Sequence, residues 1–398
     1  MCVAFFGVLG LPPTVLARHC RKEARLSENF SKDMNMLSKN NPFATGIGVV
    51  CVGFAVGILA SVLQKLGNPP NMGICVACFE RDIAGALGLH QAAIVRYLRP
   101  EIIGLCLGAF LAALLFKEFR PRGGSSPTLR FILGVIGMTG ALVFLGCPWR
   151  ALFRLGGGDL NALTGLAGFA AGIGMATFFF KTGFSLESGK SQPSPAGYVL
   201  PLIMVVLLGL RLLYPQVDGA EKSGVLFYSL KGPGASHAPL LASLGIALAI
   251  GFLAQRSRFC SMGAFRDFFL FRQTHLLWGV LALLAGVFCA NLAFGQFHPG
   301  FAGQPVAHDN HLWNFLGMTM SGLAFALAGG CPGRQLFMSG EGDTDAGIFV
   351  LGMIVGAALS HNLGLASSGA GPGPNGPVAV AVGMVVLLSI GFFCRRKS

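Results

Sequence analysis

Residues 146–159 read Gly-Cys-Pro-Trp-Arg-Ala-Leu-Phe-Arg-Leu-Gly-Gly-Gly-Asp, and residues 330–343 read Gly-Cys-Pro-Gly-Arg-Gln-Leu-Phe-Met-Ser-Gly-Glu-Gly-Asp. Aligned without a gap, the two share Gly-Cys-Pro, an arginine, Leu-Phe, two glycines and a closing aspartate. Each follows one long apolar run and precedes another. Proline suits the first helical position, where its missing N–H is not needed and its φ is already helical. Cys147 and Cys331 therefore stand at or beside an N-cap, next to backbone N–H groups that have no intrahelical partner. The glycines stop each helix, and Asp159 or Asp343 is placed to cap the next one. Two turns from Pro148 to Leu155 make about 12 Å, less than half of a hydrocarbon core of roughly 30 Å. The pattern predicts short helices that begin inside a membrane, each with a thiol near the midplane on a positive helix end.

The composition agrees. Of 398 residues, 53% are hydrophobic and only 11% charged, and the mean hydropathy is +0.67. A soluble domain carries roughly a quarter charged residues. The formal net charge of +13 does not indicate nucleic-acid binding. The lysines and arginines lie mostly between apolar segments, as in topology-setting loops, and no basic stripe with interleaved aromatics occurs. The 58 glycines let helices pack closely in lipid. Eleven cysteines, most of them within apolar segments, do not form a disulfide framework.

Ten apolar segments are long enough to span, some with tilt: 43–66, 101–116, 129–146, 160–180, 197–214, 237–255, 275–294, 312–330, 345–365 and 376–394. The segment 101–116 is read as the shortest. Four shorter pieces, 72–90, 148–156, 260–272 and 332–340, read as half-helices. Two of these carry a second repeated motif. Cys75 is followed by Arg81-Asp82, and Cys260 by Arg266-Asp267, both as Cys-x5-Arg-Asp. The offset is 185 residues here and 184 for the Gly-Cys-Pro motif, so the register holds across half the chain. The expected fold is an all-α polytopic membrane protein with about ten transmembrane helices and four membrane-embedded half-helices. Residues 43–214 form the first repeat, 215–236 a linker and 237–394 the second repeat. Five spans per repeat is an odd number, so the second copy enters from the opposite side. This is the inverted-repeat plan of many secondary transporters. Residues 1–42 are expected to be a disordered extension, or to precede a true start at Met34 or Met36.

Loop charge sets the orientation. With both termini in the cytoplasm, the inner connections hold Lys117, Arg120, Arg122, Arg130, Lys181, Lys190, Arg256, Arg258, Arg266, Arg272 and Arg395-Arg396-Lys397. The outer stretches 295–311 and 366–375 hold no Lys or Arg, and 215–236 only Lys222 and Lys231. This follows the positive-inside rule. The exception is the first outer piece, with Arg81, Arg96 and Arg99.

Discontinuous helices in transporters aim their N-termini at anionic substrates. Intramembrane arginine is costly unless it is paired or faces water. Arg150, Arg154 and Arg334, with the Arg81–Asp82 and Arg266–Asp267 pairs, favour an anion path. The two Arg-Asp pairs also serve as staples for their short helices. Cys75, Cys147, Cys260 and Cys331 form the substrate path together with Arg150 and Arg334. A thiol is a weak donor on a polarisable atom, suited to brief contact with a terminal sulfur or selenium, and conduction needs such weak stops. Cys2, Cys20, Cys51, Cys106, Cys289 and Cys394 read as small apolar residues. Cys75 and Cys78 alone would suggest a thiol-disulfide oxidoreductase, the alternative reading, but the second repeat has Gly263 in place of Cys78. His298, His308 and His311 read as solvated loop histidines. No metal site, cofactor motif or catalytic set emerges, and the chain is read as no enzyme.

At these motifs the sequence resembles the YeeE/YedE family of sulfur-transport membrane proteins. Asn71-Met-Gly-Ile-Cys75-Val-Ala-Cys78-Phe79, Tyr97-Leu-Arg-Pro-Glu101 and Gly146-Cys-Pro148 with Gly158-Asp159 are similar to its YedE branch, associated with selenium metabolism. The resemblance covers about residues 43–394. It implies an hourglass-shaped helical transporter of the bacterial inner membrane that takes up thiosulfate, or a related sulfur or selenium anion, past central cysteines. Cys75, Cys147 and Cys331 match those cysteines, and Cys260 departs further from the motif. A small cytosolic sulfur carrier of the TusA type is the implied protein partner.

Overall fold

The computed structural model describes residues 41–187 and 189–395. After a single 3-10 turn at Pro42–Ala44, the chain is built from helices: α1 (Gly46–Lys65), α2 (Val76–Ala86), α3 (Pro100–Leu115), α4 (Pro127–Phe144), α5 (Pro148–Gly156), α6 (Asn161–Lys181) and α7 (Val199–Leu213). The second half repeats the series as α8 (Leu240–Ser257), α9 (Ser261–Phe271), α10 (His275–Ala293), α11 (His311–Ala328), α12 (Pro332–Gly340), α13 (Thr344–Asn362) and α14 (Gly376–Phe393). Among the described residues, eight helices are long and apolar enough to cross a membrane. The other two apolar helices are shorter, α3 with 16 residues and α7 with 15. The helix in the segment 197–214 is thus one residue shorter than the one in 101–116. Two small antiparallel pairs, Arg122–Gly123 with Lys190–Ser191 and Lys222–Ser223 with Leu226–Phe227, tie loops together. The reading of residues 1–42 falls almost wholly outside the described residues.

The halves interlock by exchanging partners. Helix α1 packs on α10 and α8 on α3; α6 packs on α11 and α13 on α4; α4 and α11 face each other. Every one of these pairs maps onto another, or onto itself, when the halves are swapped. The outermost helices break the pattern, since α7 lies on α3 whereas α14 lies on α11. Close approach depends on glycine. A Cβ on Gly53 of α1 would collide with the Gly279 carbonyl of α10, and one on Gly108 of α3 with the Leu248 carbonyl of α8. Such contact gains dispersion where lipid offers no hydrophobic drive between helices. The outward faces stay apolar and open, as at Leu202, Val205 and Val206 of α7 and Val378, Val382 and Val385 of α14.

The short helices occupy the middle. All eleven residues of α2 are buried, as is α5 apart from Leu155. The turn before α5 puts Leu145 in the left-handed region at φ +65°, where the second half has Gly329 at φ +88°. A leucine in that region costs roughly 1–2 kcal/mol. The Leu145 carbonyl it presents accepts a hydrogen bond from Arg150 Nη1.

Candidate functional site: two thiol pairs at four helix starts

Each short helix begins at one of the four cysteines. Cys75, Cys147, Cys260 and Cys331 are the N-caps of α2, α5, α9 and α12, all with extended backbone. Pro148 and Pro332 occupy the first helical turn. Cys75 Sγ accepts the Cys78 backbone N–H at 3.3 Å, and Cys260 Sγ accepts that of Gly263 at 3.2 Å. Each also directs its thiol at the other cysteine of its half. Cys75 and Cys147 sulfurs lie 3.8 Å apart, and so do those of Cys260 and Cys331. This is a thiol–thiol contact, far longer than a disulfide of about 2.05 Å. The four thiols thus form two pairs, one from each half.

The surroundings of the two pairs differ. All four cysteines are buried, and Cys260 lies at the edge of a cavity of about 410 Å3. Arg258, Arg266, Asp267, His275 and Arg334 also line it. The first pair is covered by the 295–310 segment. Arg150 donates to the Val306 and Pro305 carbonyls at 3.0 and 3.5 Å, and Leu160 N–H bonds the Gly300 carbonyl. His308 is part of that cover. It is buried and its Nε2 lies 2.9 Å from the Val143 carbonyl. His308 is therefore not a solvated loop histidine, because the segment folds back over the gap left by the short helices.

The charged residues divide into staples and site groups. Asp82 is wholly buried and bridges Arg81 and Arg99, at 2.7 Å to each. Arg99 also donates to the Pro233 and Ser236 carbonyls. The arginines that depart from the positive-inside pattern are thus buried side chains and not free loop charges, and Arg96 is buried as well. Arg154 pairs with Asp159 at 2.6 Å, both fully buried. Asp159 in turn accepts the Asn161 backbone N–H, although Leu160 holds the N-cap position of α6. Asp343 is the N-cap of α13 and accepts from Ala346 N–H. Arg266 pairs with Asp267 at 2.8 Å, but its side chain remains 31% exposed on the cavity.

The structure gives Cys78 a different partner from the one its Cys-x-x-Cys spacing suggests, and Glu341 and Trp149 join the site without a motif to mark them. Cys78 Sγ lies 3.6 Å from Arg150 Nη1, so it faces the cation while Cys75 faces Cys147. Glu341 binds Arg334, Arg258 and Arg122 at 3.1, 2.8 and 3.3 Å. Trp149 is buried among Phe259, Phe337 and Gly333. The available signal was asymmetry. Gly157 stands at the place of Glu341 in the first half, and Trp149 at that of Gly333 in the second.

Comparison with known proteins follows the same motifs. The model of the family described as "Sulphur transport" matches residues 1–147 and 256–393. The chain belongs to this family, YeeE/YedE. The matched range takes in residues 1–42, set apart above, and all four N-cap cysteines. Among curated members, the chain is 25% identical over 275 residues to the probable transporter YedE of Escherichia coli strain K12, covering 65% of this chain and 63% of YedE. It is 29% identical over 104 residues to the thiosulfate transporter TsuA of the same strain, covering 26% of this chain and 29% of TsuA. The alignments therefore span less than two thirds of either relative. In this sulfur-transport family member, the arrangement gathers helix N-termini, buried arginine and paired thiols in the middle of the helical body.

Proposed function

We propose that the protein is an uptake transporter of the bacterial inner membrane for a small sulfur- or selenium-containing anion, thiosulfate or a close relative. The observation that carries this reading is the pairing of Cys75 with Cys147 and of Cys260 with Cys331, at four helix starts deep in an apolar helical body. Helix N-termini draw the anion by their dipoles and unpaired N–H groups. The thiols then offer polarisable, weakly held stops. No covalent step is needed, so the role is transport and not catalysis.

The exchange-symmetric packing supports two repeats, five spans in each repeat support their opposite orientation, and the loop charges support both termini in the cytoplasm. In that orientation the cavity beside Cys260 faces inward and the covered Cys75–Cys147 pair faces outward. The inner mouth, with Arg258, Arg266 and Arg334, is where a TusA-like sulfur carrier would collect the anion. Uptake of labelled thiosulfate, selenite and sulfate by liposomes holding the purified protein tests the reading. Saturable uptake of thiosulfate or selenite that exceeds sulfate supports it, and vesicles no different from empty liposomes overturn it.

A further inference from the structure

One ring reaches from the first Gly-Cys-Pro helix to residues beside the second thiol pair. Trp149 is the second residue after Cys147, so it rides on the first turn of α5. Its ring lies 5.8 Å from Phe259, the residue before Cys260, at an interplanar angle of 78°. It also lies 6.0 Å from the ring of Phe337 on α12. Its edge comes closest to Gly333, two residues after Cys331, where a Cβ would stand 3.4 Å from Trp149 Cζ2. A side chain anchored beside the first pair thus touches residues that flank the second.

Two further features set this residue apart. Trp149 is 1% exposed, yet its indole Nε1 has no hydrogen-bond partner. Buried indole N–H groups usually find one, and leaving such a donor unpaired costs free energy. The counterpart of Trp149 at the offset of 184 residues is Gly333. Two tryptophans at symmetric places beside the axis would compete for one space. A tryptophan facing a glycine fills the space once, and no side chain on Gly333 stands against the ring.

We propose that Trp149 is the gate between the two thiol pairs and, through its indole N–H, the contact an anion makes while passing from one pair to the other. At rest the ring separates the pairs. An arriving anion offers oxygen acceptors to the unpaired N–H, the ring turns over Gly333, and the way to Cys260–Cys331 opens. The inference rests on the transport reading above.

The test combines uptake with a direct optical signal. The chain has three tryptophans, and Trp278→Phe with Trp313→Phe leaves Trp149 as sole reporter. Its emission should change on addition of thiosulfate or selenite, in the order in which wild-type liposomes take these anions up. Trp149→Phe keeps a ring but loses the donor. It should lower uptake about fivefold, the worth of one hydrogen bond, and should still exclude sulfate. Trp149→Ala should admit sulfate and so abolish the discrimination. Gly333→Val should block turning and stop uptake, with Gly333→Ala near wild type. Circular dichroism and gel filtration of each variant establish folding. A silent Trp149 signal with an anion that wild type transports, or Phe and Ala variants that match wild type in rate and discrimination, overturns the gate and leaves the transport reading intact. Wild-type liposomes that take up none of the anions overturn both.

Discussion

Arg150 and Arg334 hold the same position in the two Gly-Cys-Pro motifs but keep different company. Arg150 is fully buried and donates to the carbonyls of Asn71, Leu145 and Val306, with the Cys78 thiol at 3.6 Å. Arg334 faces a cavity and is ion-paired to Glu341 at 3.1 Å. Carbonyl dipoles solvate a guanidinium without cancelling its charge, whereas a carboxylate cancels it. Among the described residues, one motif thus carries a cation with no carboxylate paired to it beside its thiols, and the other ties that charge to a carboxylate at the opposite mouth. Arg150→Gln should lower uptake by well over tenfold, since about 1.4 kcal/mol already amounts to a factor of ten. Arg334→Gln should cost less, because Arg258 and Arg122 continue to hold Glu341. Initial uptake rates of the two variants at equal reconstitution decide the order, and equal losses would contradict it.

The thiols themselves are tested by serine. Cys147→Ser and Cys331→Ser keep a good N-cap of nearly the same shape, so melting temperatures should hold. What serine lacks is a soft sulfur, and uptake should fall about tenfold or more, an effect above 1.4 kcal/mol. Cys106→Ala and Cys289→Ala, outside the repeated motifs, should transport as wild type does. Wild-type rates in the two serine variants would show that helix ends and arginines suffice.

Asp82 is expected to matter for folding before function. Asp82→Asn would leave Arg81 and Arg99 buried with no carboxylate between them. Breaking a buried pair by removing one partner costs about 3–5 kcal/mol. Thermal denaturation in detergent should show a large drop in midpoint, and Arg266, which is part-exposed, should tolerate Asp267→Asn much better.

Gly53 sits where α1 meets the backbone of α10. Gly53→Leu would drive a side chain into the Gly279 carbonyl. Because the neighbouring part is backbone, no rotamer change relieves the clash, and overpacking of this kind costs about 1–3 kcal/mol or more. The yield of monodisperse protein should fall sharply, while Gly174→Leu, with open space around it, should express normally.

Orientation is checked by reporter fusions. Those after Lys117, Lys190 and Arg272 should read as cytoplasmic, and those within 295–311 and 366–375 as external. A cytoplasmic signal from 295–311 would remove the inverted arrangement of the halves.

The chain itself disclosed the helices, because lipid imposes a simple rule on sequence. A span needs an apolar run of sufficient length, and Cys-Pro with glycine near the end marks the starts and stops of α5 and α12. All ten apolar runs and all four short helices fall close to the segments read for them, and the Gly-Cys-Pro motif pointed to Cys147 and Cys331 as N-caps, while the N-cap places of Cys75 and Cys260 came from the structure. Which thiol meets which could not be read this way. The sulfurs pair at 3.8 Å within each half because the starts of α2 and α5 meet, as do those of α9 and α12, distances that no spacing encodes. The same holds for Asp82 choosing Arg99 as well as Arg81, for three arginines converging on Glu341, for His308 buried under its own loop, and for Trp149 resting against Gly333. Local sequence decides what a segment becomes. Side chains far apart in the chain are brought together by the packing of whole helices, and only the tertiary structure decides that.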